Sequence, residues 1–216
     1  MRRKVLRLLE EQVAVGHTAV LVIDVQNTFF AEESNLGDKE EKRALVPRLK
    51  NFLDGARAAH LPLVFVRMVQ TDDDAPRRMR LGRRIPMNSR VSLRPGTWGS
   101  ELVSEIQSKP NDIFIEKTRF NAFINTPLDA RLRRRGITTL VITGAYTNVC
   151  VGMTACDGSM RDYYVVIPKD LVVGTDPGLH ESALLNFELF FGKVSSAQEL
   201  LGIWKTVNGS RERRGS

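Results

Sequence analysis

The chain has 216 residues, 42% of them hydrophobic, and 32 Lys and Arg against 25 Asp and Glu leave a net charge of +7. That length fills one hydrophobic core, so a single domain over 1–216 is expected, with its core at about 18–205 and a basic tail at 209–216. No run nears the roughly 18 apolar residues of a membrane helix, and charges interrupt MRRKVLRLLEEQ where a secretory signal needs an apolar centre, so a cytoplasmic protein with no membrane partner is expected.

In chain order, short β-branched runs alternate with stretches of helical period. TAVLVIDV reads as a first strand, 41–59 as a helix, LPLVFVRMV as a second strand and 99–107 as a helix. DIFIEK is a third strand, 127–135 a helix with Thr126 as its cap, Pro127 in its first turn and Gly136 at its end, and TTLVITGAY a fourth strand. A helix from about 148, a strand YYVVIPKDLVV, a helix over 179–190, the short KVSS and a last helix at AQELLGIW complete the chain. Strands written as continuous apolar runs are covered on both faces, which predicts a three-layer α/β/α fold around a mostly parallel, Rossmann-like sheet. The segment 70–98, rich in Asp, Arg, Pro and Gly, has no apolar period and reads as a loop over the mouth of the sheet.

The basic residues gather in RRMRLGRR, RLRRRG and the tail RERRGS. No aromatics are interleaved to stack bases, so no nucleic-acid partner is expected and a small-molecule substrate is. Cys150 and Cys156, six residues apart, do not make a disulfide framework. His17, His60 and His180 stand far apart in sequence, and no metal site or cofactor is expected; GxGxxG and GxxxxGK[ST] are both missing after the strands.

Three reactive residues end strands: Asp24 after LVI, Lys117 after IFIE, and Cys150 after LVITGAY at the start of a helix. Singly, each has an ordinary role, as a cap, a solvated amine and a small core filler. Ligands collect outside the carboxyl ends of strands in open α/β sheets, so together the three are expected to converge on one pocket. A thiolate is the nucleophile, and a helix N-terminus with a nearby ammonium is expected to lower the Cys150 pKa. A carboxylate takes the thiol proton and returns it to a leaving amine, and the backbone of GAYTN would hold the oxyanion. A non-catalytic binding or thiol-sensing protein is the alternative, and a redox pair suffers from the helical spacing of the two sulfurs.

The blocks VLVIDVQNTF, EKTRFNAFINTPLDARLRRRGITTLVITGAYTNVCVGMTACDG and NFELFFGKVSS resemble the isochorismatase-like cysteine hydrolases over about 18–200. The resemblance implies a six-stranded sheet of order 3-2-1-4-5-6, and a catalytic Asp24, Lys117 and Cys150. It also implies a cis peptide between Ala145 and Tyr146, an oxyanion hole from the N–H groups of Tyr146 and Cys150, and a homo-oligomer, dimer or tetramer. Within the family FINTPLD and NFELFFGKVS look most like the ureidoacrylate amidohydrolases, which implies hydrolysis of a linear amide C–N bond. A true isochorismatase, cleaving a vinyl ether, is the enzymatic alternative. Pocket-lining candidates are Phe29, Trp98, Phe123 and Tyr146, with Arg119 for a substrate carboxylate. Cys156, Tyr163 and Tyr146 depart from the usual Arg, Gly and Ala of the family, and Tyr146 is expected to narrow the pocket.

Overall fold

A computed structural model describes residues 5–71 and 92–212. A short helix α1 (Leu9–Gln12) leads into β1 (Thr18–Ile23), whose six residues are all buried. After β1 come a helical turn α2 (Asn27–Phe30) and the long α3 (Lys39–Ala58). Asp38 caps α3 by accepting from Glu41 N–H at 2.9 Å, and Glu40 and Glu41 face the positive end of its dipole. Leu45, Leu49, Phe52, Leu53 and Ala56 recur at helical spacing and form its buried face.

Strands β2 (Leu63–Met68) and β3 (Ile113–Lys117) precede α4 (Leu128–Arg134), β4 (Thr139–Ala145) and α5 (Gly152–Met160). Then β5 (Tyr164–Pro168), β6 (Val172–Val173), α6 (Pro177–Phe190), β7 (Lys193–Ser195) and α7 (Ala197–Glu212) follow. All pairings between these strands are parallel, in the order β3-β2-β1-β4-β5-β7, and β6 pairs with β4 beyond the end of β5. On one face α3 packs on α7 through Phe52 and Trp204, whose rings lie 5.4 Å apart. On the other, α5 adjoins α6, and α4 reaches the end of α5 through Arg133 donating to Arg161 O at 2.9 Å.

Three expectations need correction. The expected order of six strands holds, but among the described residues the sheet has a seventh, short strand, because YYVVIPKDLVV is divided: a 3₁₀ turn at Lys169–Leu171 separates β5 from β6. Pro168 ends β5, and Asp170 in the turn accepts from Ala197 N–H at 2.8 Å to cap α7. The helix expected over 99–107 is absent, and only a 3₁₀ turn at Trp98–Ser100 forms. Its backbone groups are claimed from outside: Gln26 Nε2 donates to Ser100 O at 2.8 Å, Asn27 N–H to Glu101 O and Val103 N–H to Val25 O. Pro127 caps α4 rather than standing in its first turn, while Thr126 Oγ1 accepts from Leu128 N–H at 3.3 Å. The segment expected to overlie the sheet, including RRMRLGRR, lies mostly outside the described residues.

The chain runs outward from β1 through β2 to β3 and then returns to lay β4 against the other side of β1. The two halves therefore diverge between the carboxyl ends of β1 and β4, where such sheets hold their ligands. Gly144 lets the strands close up there: its φ is 107°, and a side chain on it would overlap the backbone of Ile23.

Candidate active site

Asp24 is the first residue past β1, and its φ of 52° turns the chain sharply while the side chain stays in the cleft. Its N–H remains in the ladder, donating to Val66 O at 2.9 Å. Lys117 is the last residue of β3, two strands away, in register with Met68 of β2. Its side chain crosses the end of β2, and Nζ lies 2.7 Å from Asp24 Oδ2 with both side chains at most 1% exposed. At the end of β4 the Ala145–Tyr146 peptide is cis, and Thr147–Val151 form one π turn before α5. That turn delivers Cys150, 5% exposed, to the same place. Three residues from separate strand ends are thus brought together.

The electrostatics follow from burial. Burial pushes the Asp24 carboxyl above its ordinary value, against the pull of the Lys117 ammonium. Burial opposes the charge of Lys117, but Asp24 and the Cys150 sulfur outweigh it and raise its pKa. Burial and then the Asp24 charge push the Cys150 thiol up, with Lys117 opposing. This corrects the expectation of a lowered thiol pKa: Cys150 lies inside a π turn, two residues before α5 begins, and is desolvated beside a carboxylate. Among the described residues Asp24 Oδ1 is the one buried side-chain oxygen or nitrogen with no hydrogen-bond partner. A buried acceptor left open costs free energy unless a donor arrives, which marks Oδ1 as a proton-accepting position.

The pocket candidates divide. Phe29 is buried edge-on to Tyr146, with ring centroids 5.7 Å apart, close to the turn that carries Cys150. Trp98 is 47% exposed, and its carbonyl accepts from Asn27 Nδ2 at 2.8 Å. Phe123 stacks on Tyr163 at 6.0 Å and lies under the Arg161 guanidinium, so its ring packs among the helices. Arg119 is half-buried two residues past Lys117, and its Nη1 donates to Thr118 O and Oγ1. Tyr163 donates to Asp129 Oδ1 at 2.9 Å, a packing role. Both cysteines are free thiols, and Cys156 is half-buried.

Lys42 is a buried cation near the site that no motif in the sequence marks. It stands three residues before Leu45 on the buried face of α3, and that placement is the signal that would have found it. Its Nζ donates to Phe29 O at 3.0 Å and Leu36 O at 2.8 Å, and burial pushes its pKa down. The Tyr146 hydroxyl donates to the same two carbonyls, each at 3.2 Å. Tyr146 is therefore fastened to the segment that carries Phe29 and Leu36. Among the described residues no helix is long and apolar enough to cross a membrane, and no three His, Cys, Asp or Glu residues gather as metal ligands.

Comparison with known proteins returns the Isochorismatase domain over residues 18–199. The ureidoacrylate amidohydrolase RutB of Methylorubrum extorquens is 36% identical over 198 residues, covering 82% of this chain and 79% of its own. RutB of Agrobacterium fabrum is 30% identical over 205 residues, covering 87% and 90%. A cysteine hydrolase from Pseudomonas syringae pv. phaseolicola superposes with a TM-score of 0.80 at 23% identity, covering 95% of this chain and 99% of that one, a likeness of fold. N-carbamoylsarcosine amidase from Thermoplasma acidophilum gives a TM-score of 0.68 at 28% identity, covering 84% and 96%.

Proposed function

The chain belongs to the isochorismatase family, and from that premise we propose that it is a cysteine-dependent amidohydrolase acting on a small carbamoyl or ureido compound. The observation that carries this reading is the buried Lys117–Asp24 contact of 2.7 Å beside Cys150, a thiol that burial pushes up in pKa. A thiol whose pKa is raised needs its proton removed as it attacks, and Asp24, with Oδ1 open, is the base at hand. As Sγ bonds to the substrate carbonyl carbon, the thiol proton passes to Asp24. The oxyanion is held by the N–H groups of Tyr146 and Cys150. The C–N bond then breaks, and the departing nitrogen takes the proton from Asp24 and leaves as amine or ammonia. Water, losing a proton to Asp24, attacks the thioester-type intermediate, and that proton returns to the sulfur as it leaves. Lys117 keeps its charge throughout and offsets that of Asp24.

The substrate class rests on the thiol and on the relatives. A nucleophilic sulfur suits a carbonyl carbon and has no task in vinyl-ether cleavage. The RutB relatives and the N-carbamoylsarcosine amidase carry a ureido or a carbamoyl substrate in their names, whereas other structural neighbours carry the name isochorismatase. Arg119 is the guanidinium assigned to a substrate carboxylate, where planar, charge-assisted pairing favours Arg over Lys. The test compares kcat/KM for a ureido acid, its uncharged amide analogue, nicotinamide and isochorismate. The ureido acid should lead; a lead for either of the last two overturns the assignment, and equality of the acid and its amide removes Arg119 from it.

A pH profile checks the base. Asp24 must be ionised to accept the thiol proton, and its pKa is raised, so activity is lost as pH falls through that raised value. The acid limb of kcat/KM should therefore lie above the ordinary aspartate value of 3.8. A limb at or below that value would show that Asp24 is not the base.

A further inference from the structure

The turn that presents Cys150 is a single π turn, and its own hydrogen bonds, such as Val149 and Val151 N–H to Tyr146 O, tie it chiefly to itself. Two consecutive side chains at its start reach outward to α6 and to the connection that leads into it from β6. Thr147, 1% exposed, shares a hydrogen bond of 2.8 Å between its Oγ1 and His180 Nδ1. Asn148 engages Thr175 with both ends of its amide: Nδ2 donates to Thr175 Oγ1 at 2.7 Å, and Oδ1 accepts from Thr175 N–H at 3.0 Å.

The connection is built to hold this position. Asp176 caps α6 by accepting from Leu179 N–H at 3.1 Å, which sets His180 in the first turns of a 14-residue helix. Gly174 leaves room for it, since a Cβ there would meet His180 Cβ at 2.5 Å. The same connection bonds to the opposite wall of the cleft, where Gly37 N–H donates to Thr175 O at 3.2 Å. The span 174–180 thus touches both the nucleophile turn and the segment to which Lys42 and Tyr146 are bonded.

We infer that His180 and Thr175 are positioning residues for the cysteine chemistry proposed above, His180 acting through Thr147 and Thr175 through Asn148. Neither is assigned contact with the reacting atoms. Their effect is on where Sγ and the N–H groups of the turn stand relative to Asp24 and Lys117, and an ångström of misplacement in such a site costs about 100-fold in rate. Binding of substrate elsewhere in the cleft is left unchanged, so the loss falls on kcat.

Hydrogen–deuterium exchange of the 146–151 peptide tests the brace, and kcat and KM on the best ureido substrate test its consequence. His180→Ala and Thr175→Val should each speed exchange in that peptide and lower kcat by about 10- to 100-fold, with KM within about 2-fold. His180→Asn, whose amide stands where Nδ1 does, should restore slow exchange and most of kcat. Thr147→Val combined with His180→Ala should be no slower than the worse single variant, because both remove one interaction. Unchanged exchange, a loss carried by KM, an asparagine variant as poor as alanine, or additive losses would each overturn the inference. Cys150→Ala serves as the control: if it loses turnover while His180→Ala does not, this inference fails alone. If Cys150→Ala keeps turnover, the cysteine reading fails, and the exchange measurement still decides whether His180 holds the turn.

Discussion

Cys150→Ala should abolish turnover, by on the order of 10⁴-fold or more, because removing the nucleophile leaves only binding and oxyanion stabilisation to act on the substrate. The fold should survive. Cys150 is 5% exposed, so losing one buried heavy atom opens a small cavity and costs about 1 kcal/mol, in the range of other one-atom core deletions. Release of ammonia or amine on the best ureido substrate, alongside urea unfolding, measures both effects. Near wild-type rates in the variant would remove the thiol from the mechanism. Loss of activity together with a collapsed urea midpoint would show that packing, not chemistry, had been disturbed.

The second large effect belongs to Asp24 and Lys117. Asp24→Asn keeps the shape but leaves the Lys117 ammonium buried with no counter-charge, which should cost about 3–5 kcal/mol and nearly all activity. Lys117→Met should cost less, because burial already raises the Asp24 pKa and the orphaned carboxyl can neutralise itself by keeping a proton. The double variant should be more stable than Asp24→Asn alone, since it removes both charges from the interior together, and the coupling should exceed about 1 kcal/mol. Urea unfolding of the four proteins measures this cycle. Additive losses would mean that the two charges do not depend on each other.

Much of the fold was legible because its signals are local. Continuous apolar runs such as TAVLVI identify strands buried on both faces, and β1 and β4 are buried at every residue. Elements failed where a local pattern met a distant competitor. Residues 100–103 give up their helix because Gln26, Asn27 and Val25, some 75 residues earlier, take the backbone groups of Ser100, Glu101 and Val103. The apolar run 163–173 is broken by Pro168, a signal present in the sequence, and its second half crosses to β4. Trp98 and Phe123 illustrate the limit for pocket residues. An aromatic ring is equally at home in a cleft, in the core or on the surface, and only its neighbours distinguish the three.

The sequence by itself determined the alternation of strand and helix, the placing of Asp24, Lys117 and Cys150 at strand ends, and the family, because period, punctuation and motif spacing are properties of short stretches. Only the tertiary structure decided that Lys117 crosses β2 to meet Asp24 and that burial raises the pKa of the Cys150 thiol instead of lowering it. It alone showed Lys42 and Tyr146 sharing two carbonyls and His180 reaching the turn that carries Cys150. Charge state and position in a buried site are set by desolvation and by partners contributed from every part of the chain, and no window of sequence contains those sums.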